Sequence, residues 1–203
     1  MNNVRISSFA SFKNGTLKVN GNVLLESAME TFFSTYYEVM KLNYPKFFKM
    51  DNLSKLAFVT CDKLFEQDAA EEVISAFEKG LIFSTADGCL DTDEKYFQST
   101  ESIPSPALFV YTLPNIAAGE LSIRHGLKGE TATFIFEEFN PEFQTKYVQS
   151  LFEEKRVSIC ISGWANFYGE STEAFFYLVR KSENGIIHST ENIQKLLDKS
   201  WKN

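Results

Sequence analysis

Apolar residues fall into two periods along the 203-residue chain, one helical and one extended. From Glu26 to Leu42, Met29, Phe32, Phe33, Tyr36, Tyr37 and Met40 recur at the i, i+3, i+4, i+7 spacing of one helix face. Asn43-Tyr44-Pro45 ends that helix, because the residue before a proline avoids the helical region. Asp51 is placed to cap a second helix over Asn52–Gln67, with Leu53, Leu56, Ala57, Val59, Thr60 and Leu64 inward. Asp68 would cap a third over Ala69–Lys79, closed by Gly80. Ser189 or Thr190 caps a last amphipathic helix with Ile193, Leu196, Leu197 and Trp201 on one side.

The extended period marks Val4–Phe9 and Thr16–Val23, separated by the turn-type Lys13-Asn14-Gly15, as a hairpin-like start. Leu81–Ser84 reads as a short strand, followed by the loop Thr85-Ala86-Asp87-Gly88 and one or two helical turns over Asp91–Gln98. Ser102–Gly129 opens on the Pro104-Ser105-Pro106 break and holds Ala117, Ala118 and Gly119, small enough for close helix packing. Glu173–Arg180 is a further strand.

Gly129–Phe167 reads as strand, elbow, helix, strand. Thr131–Phe136 is β-prone, Asn140 caps a helix with Pro141 at its first position, and Val157–Ile161 is an apolar strand. Such a unit makes parallel strands joined by a crossover helix. Several enzyme classes put a nucleophile at such an elbow, where the first helical turn offers unpaired N–H groups to a developing anion. Here the elbow carries Glu137, Glu138, Phe139 and Asn140, none of them a Ser or Cys nucleophile. A carboxylate at a helix N-terminus is held as the anion and is a weak base, so Glu138 is expected to satisfy helix N–H groups or a partner residue. As strand neighbours, Glu137 and Glu138 are expected on opposite faces, which rules out a facing acid–base pair.

Composition adjusts this picture in three places. The length fits one domain, 1–203, with a substantial core. Twenty Phe and 8 Tyr exceed what an average core requires, which points to a large interface or a tunnel. A net charge of −7 argues against nucleic acid as a partner. The densest basic stretch, Lys41, Lys46, Lys49 and Lys55, is either a docking face for an acidic protein or ordinary solvated surface. Cys61, Cys89 and Cys160 are an odd number without metal spacing, as expected of reduced thiols in a cytoplasmic protein. No signal-like N-terminus or membrane-length apolar run is evident, and no metal or cofactor is expected.

Tyr44-Pro45-Lys46-Phe47-Phe48-Lys49-Met50-Asp51, Ser105-Pro106, Leu113-Pro114-Asn115-Ile116-Ala117-Ala118-Gly119-Glu120-Leu121-Ser122-Ile123 and Gly126-Leu127-Lys128-Gly129 carry a family likeness. Over roughly residues 20–170 the sequence resembles the N-terminal half of β-ketoacyl synthases, especially the short ketosynthase-like proteins of aryl-polyene and flexirubin-type pigment clusters. The resemblance implies an α/β thiolase-like half-fold: one mixed, largely parallel five-stranded sheet with helices on both faces. It places the nucleophilic cysteine's position on Glu138 and the paired glycines on Gly163 and Trp164, while Phe139-Asn140-Pro141 replaces the small residues that follow the cysteine. The family's catalytic histidines and lysine come from a C-terminal half; His125 and His188 match none of them and are expected as a charge at a helix end or packing residue, and as a loop residue.

In the family, the strand before the cysteine pairs across a dimer and shapes the acyl tunnel. The resemblance therefore makes Thr131, Thr133, Phe134, Phe136, Glu138 and Phe139 interface or tunnel candidates, with Phe134 and Phe136 on one face. The alternative is that these phenylalanines belong to the domain's own core. An isolated half is expected to leave apolar helix surface uncovered and so to oligomerise. The implied function is a non-catalytic, chain-length-factor-like subunit of a condensing ketosynthase in fatty acid, polyketide or aryl-polyene assembly. Two others stay open: an enzyme acting on acyl or malonyl thioesters through Glu138, and a homodimeric acyl-carrier-protein-binding module using Lys41, Lys46 and Lys49. Partners would be a catalytic ketosynthase or a second copy, and an acyl carrier protein.

Overall fold

The computed structural model of the chain describes residues 3–66, 73–169 and 171–201. Strands β1 (Val4–Lys13), β2 (Thr16–Val19) and β3 (Asn22–Glu26) form a meander. Its two-residue turns, Asn14-Gly15 and Asn20-Gly21, all have positive φ, the conformation whose twist suits a tight hairpin. The second turn splits the expected strand Thr16–Val23 in two. At Gly15 a Cβ would fall 2.1 Å from the Ser27 carbonyl oxygen, so only glycine fits there.

Helix α1 (Met29–Val39) buries Phe32 and Tyr36, and a 3₁₀ turn follows at Pro45–Lys49. In α2 (Asn52–Cys61) the Asp51 carboxylate accepts from Ser54 N at 3.0 Å, and every residue from Leu56 to Cys61 is buried. The helix ends well before Gln67. Part of the expected helix Ala69–Lys79, with its cap Asp68, lies outside the described residues; within them, Ala76–Glu78 is a single 3₁₀ turn. Lys79 opens β4 (Lys79–Thr85), so Gly80 is a strand residue rather than a helix close. A Cβ on it would lie 2.9 Å from Val157 Cγ1 and 3.2 Å from Glu130 O, so packing against neighbouring chain requires the glycine. Then come α3 (Leu90–Ser99), α4 (Pro106–Phe109), α5 (Asn115–His125, closed by left-handed Gly126), β5 (Thr131–Ile135) and α6 (Pro141–Glu153). The chain continues through β6 (Ile159–Tyr168), β7 (Ser171–Lys181), β8 (Ile186–Ile187) and α7 (Thr190–Trp201), which Ser189 caps by accepting from Asn192 N at 3.3 Å.

The sheet has eight strands, not five, in the order β3-β2-β1-β7-β6-β4-β5, with β8 on β1. Only β4/β5 and β4/β6 pair in parallel; the other pairings are antiparallel. Five central strands are nonetheless recognisable. β1 and β6 both oppose β7, so β1, β6, β4 and β5 share one direction and β7 alone runs against them. The excess over five comes from the N-terminal meander and β8, all added beyond or onto β1.

Alternation along the strands builds a core on each face. Ala174, Phe176 and Leu178 of β7 face α2 and α5, while Phe175, Tyr177 and Val179 face α6 and α7. A register shift between Ile6 and Ser8 moves β1 by one residue, so Ile6 and Phe9 share a face while Ala10 and Phe12 take the other. Most of the aromatic excess lies here: Phe12, Phe32, Phe47, Phe58, Phe83 and Phe176 are all buried. The helix α7 lays Ile193, Leu196 and Leu197 over the second core, so α6 and α7 leave no large apolar side chain strongly exposed among the described residues. The uncovered surface expected over helices lies elsewhere, on α3 and α4.

Candidate functional site

The chain leaves β4 by way of α5 on one face and returns from β5 through α6 on the other. The carboxyl ends of β4, β5 and β6 therefore open onto a crevice, the usual place for a site in such sheets. The crevice is a cavity of about 820 Å³, lined from the loop after β4 by Ala86 and Asp87, from the corner by Phe136–Pro141, from β6 by Trp164 and Asn166, from β7 by Ser171 and Glu173, and from α7 by Gln194, Leu197, Asp198 and Trp201.

Position 138 stands at a strand-to-helix corner, as expected. Asn140 Oδ1 accepts from Phe143 N at 2.9 Å, Pro141 follows at the first helical position, and Phe139 is buried against Trp164 and Phe175. The asparagine, not Glu138, thus satisfies the helix N–H, and a phenylalanine fills the corner. Glu137 and Glu138 lie in the bend beyond β5, exposed, with no hydrogen bond or ion pair among the described residues. Both border the same cavity, because the strand ends at Ile135 and its two-face alternation no longer applies.

Asn166 fixes the opposite wall. Its Oδ1 accepts from Thr85 Oγ1 (3.2 Å), Ala86 N (3.2 Å) and Asp87 N (2.9 Å), and its Nδ2 donates to Asp87 Oδ2 (2.6 Å) and Ser171 Oγ (3.0 Å). Beneath α6, buried Gln144 donates to Ser84 Oγ at 2.9 Å and accepts from Ser162 Oγ at 2.6 Å, which ties the helix to β4 and β6. Among the described residues the lining carries five carboxylates, Asp87, Glu137, Glu138, Glu173 and Asp198, and no His, Cys, Lys or Arg. No three potential ligands gather as a metal site among the described residues.

The three thiols form no disulfide and are buried, and burial pushes each pKa up, for Cys89 to about 12 with Asp93 adding to the effect. They are inert at neutral pH. His125 is the packing residue of the two alternatives, and His188 lies in a loop as expected but is buried there. Burial pulls both down to about 4; His125 packs on Phe65, and His188 on Tyr177 with only 2% exposure.

Phe134 and Phe136 stack at 6.2 Å and meet Phe143 of α6 at 4.7 and 4.9 Å, so their shared face turns onto the domain's own helix. Thr131 and Thr133 lie on β5, an edge of the sheet whose outer side is unpaired. Ile135 at the end of that edge is 56% exposed, and the segment before α5 leaves Phe97 73%, Ile103 84%, Phe109 60% and Leu113 57% exposed. Gly88 joins the two parts, since its Cβ position lies 3.2 Å from Pro114 Cγ and 3.8 Å from Ile135 Cδ1. Of the candidate lysines, Lys46 is committed to the buried Glu120 carboxylate at 2.7 Å, while Lys41 and Lys49 are exposed. Asp87, Asn166, Glu173, Asp198 and Trp201 had no local signal in the sequence beyond the Asp87-Gly88 turn.

No family model matches the chain, and no curated protein sequence matches it. Solved structures do. It superposes on the ishigamide ketosynthase/chain length factor with a TM-score of 0.63 at 16% identity, covering 90% of this chain and 63% of that one. A type II polyketide ketosynthase in complex with its acyl-carrier protein gives 0.64 at 10% identity, covering 89% and 62%. The chain has a ketosynthase-type fold. It spans a little under two thirds of the length of those two proteins. A ketosynthase in complex with its chain length factor from Xenorhabdus doucetiae matches with a TM-score of 0.58 at 12% identity, over 98% of this chain and 92% of that one, a chain of nearly equal length.

Proposed function

We propose that this chain is a non-catalytic, chain-length-factor-like subunit that pairs with a condensing ketosynthase in cytoplasmic fatty acid, polyketide or aryl-polyene assembly. The observation that carries the reading is the corner itself: strand, bend and capped helix are kept, while the reactive position holds an exposed carboxylate and the described lining of the adjoining cavity has no cysteine and no histidine to activate its one serine, Ser171. Glu138 shares its cavity with four other carboxylates, and so acidic a wall repels the carboxylate of a malonyl group, which counts against thioester chemistry through Glu138. Lys46, held by Glu120, counts likewise against a carrier-docking face built on Lys41, Lys46 and Lys49.

The surface that would meet a ketosynthase is the open edge of β5 with the apolar face of α3 and α4 beside it. An unpaired edge next to a bare apolar patch is a liability unless another chain covers it. The test is co-expression with a condensing ketosynthase encoded near this chain. Co-purification, with condensing activity that requires this chain, is expected, and Phe109→Glu with Ile135→Lys should abolish both while leaving the fold intact. A ketosynthase fully active alone, or a complex indifferent to the two substitutions, would remove the proposal.

A further inference from the structure

Large apolar side chains are bare along one run of chain. Phe97 on α3, Ile103 in the turn that follows, Phe109 and Val110 at the end of α4 and Leu113 before α5 are each more than half exposed. The run is folded on itself. The Tyr96 ring lies 5.4 Å from that of Phe109, and Ser105 N donates to Ser99 Oγ at 3.1 Å, which brings α4 back against α3. Pro114 and Ile135 both lie against Gly88, so the run meets the carboxyl end of β5. Apolar surface of this kind marks a place where another molecule sits.

The charges around these side chains are of one sign. Glu94 and Glu101 stand three residues before and four residues after Phe97, the helical spacings that share its face, and both are exposed. Glu101 lies just past α3, but its N–H reaches Gln98 O at 3.3 Å and continues the turn. Glu94 accepts from Tyr168 OH at 2.6 Å, which fixes its place and leaves its charge. Beyond Ile135 come the exposed Glu137 and Glu138. Cations do little to offset them. Residues 96–123 hold no Lys, Arg or His, Lys95 pairs with Asp91 at 2.7 Å, and half-buried Lys55 lies in the field of Asp51.

An apolar centre with a charged rim is the anatomy of a docking face, and the sign of the rim selects what can dock. A two-fold pair of identical chains uses one patch twice, so it would set these acids against the same acids across the seam. The net charge of −7 repels a second copy at longer range as well. A partner that carries lysine and arginine around its own apolar centre turns the same acids into attraction. We propose that this face docks a different protein whose apolar contact patch is rimmed by lysine and arginine, and that Glu94 and Glu101 keep two copies of this chain from pairing through it. The occupant rests on the proposed function, a condensing ketosynthase; what is added is the chemistry that selects it over a second copy.

Self-pairing and partner binding should respond to charge with opposite signs. In sedimentation velocity the full chain is expected to be monomeric at about 20 µM and about 0.05 M salt, and to self-associate as salt rises to about 0.5 M and screens the acids. The Glu94→Gln, Glu101→Gln double variant should pair with itself at low salt at a concentration about threefold or more below that needed by the wild type. The same variant should bind the condensing ketosynthase encoded near this chain about three- to tenfold more weakly, and the wild-type complex should weaken as salt rises. A wild-type dimer already tight at low salt, a variant no more prone to self-pairing than the wild type, or ketosynthase binding indifferent to salt and to the variant would each overturn the proposal. A ketosynthase that does not bind at all ends the proposed function instead, and self-pairing alone then decides whether the rim excludes a second copy.

Discussion

Carboxylates are treated in opposite ways on the two sides of this molecule. Beneath α2 and α5, Asp62 is buried and accepts from Arg124 Nη2 (2.7 Å), Arg124 Nε (3.1 Å) and Tyr36 OH (3.0 Å), with the guanidinium lying over Phe58 and Tyr44. Glu120 is buried likewise and takes Lys46 and Tyr111 OH. At the end of β5, Glu137 and Glu138 border an open cavity with no partner among the described residues. A buried charge left alone costs several kcal/mol, so those in the core were matched. An exposed one costs little, so a cluster of them can persist for a purpose other than stability.

The comparison breaks most severely at Arg124. Arg124→Leu strands a buried carboxylate, and Lys63, 3.7 Å from Asp62 Oδ2, only partly replaces the lost cation. A loss of about 3–5 kcal/mol is expected, seen as a fall in Tm of roughly 10 °C. Adding Asp62→Asn removes the stranded charge and should restore more than half of the loss. A single variant as stable as the wild type would mean that Asp62 is not sealed from water.

The histidines set a pH dependence in the same core-versus-rim terms. Both are held neutral by burial, with folded values of about 4 against an ordinary value near 6.5. Between those limits the unfolded chain binds the extra protons. Their contribution is therefore fully present above about pH 6.5 and is lost as pH falls toward about 4, up to roughly 2–3 kcal/mol for each. His188, with both ring nitrogens unpartnered against Tyr177, is the cleaner probe. His188→Leu should flatten about half of the slope in urea melts run between pH 7 and pH 5, and an unchanged slope would show that the ring is hydrated.

Local chemistry made much of the fold readable. The caps at Asp51 and Asn140, the apolar stripe of α1 and the strand-corner-helix around Glu138 all depend on neighbours a few residues apart. Where the sequence misled, distant contacts decided. Gly80 reads equally as the end of a helix and as a strand residue until Val157 and Glu130 press against it. Asn20-Gly21 sits inside a β-prone run, and its turn becomes a strand boundary only because β2 pairs on both sides. Glu138 was visible from the corner alone. The rest of the cavity comes from β4, β6, β7 and α7, segments whose residues share no spacing, so no pattern could assemble them before the chain had folded.

The smallest effect is the most discriminating. Replacing Glu137 and Glu138 together by Gln removes two charges from the acidic rim and leaves hydrogen-bonding shape nearly intact. Relief of like-charge repulsion with Asp87, Glu173 and Asp198 should stabilise, while losing two anions near the N-terminus of α6 should destabilise by about 0.3–1 kcal/mol. The two nearly cancel, so a net change within about 0.5 kcal/mol is expected by urea denaturation. Salt separates them, because only in the wild type does screening act on the repulsion; raising it should narrow whatever difference remains. A loss of more than about 2 kcal/mol would place the pair among the structural carboxylates, with Asp62 and Glu120, and would end the distinction between a matched core and an unmatched rim.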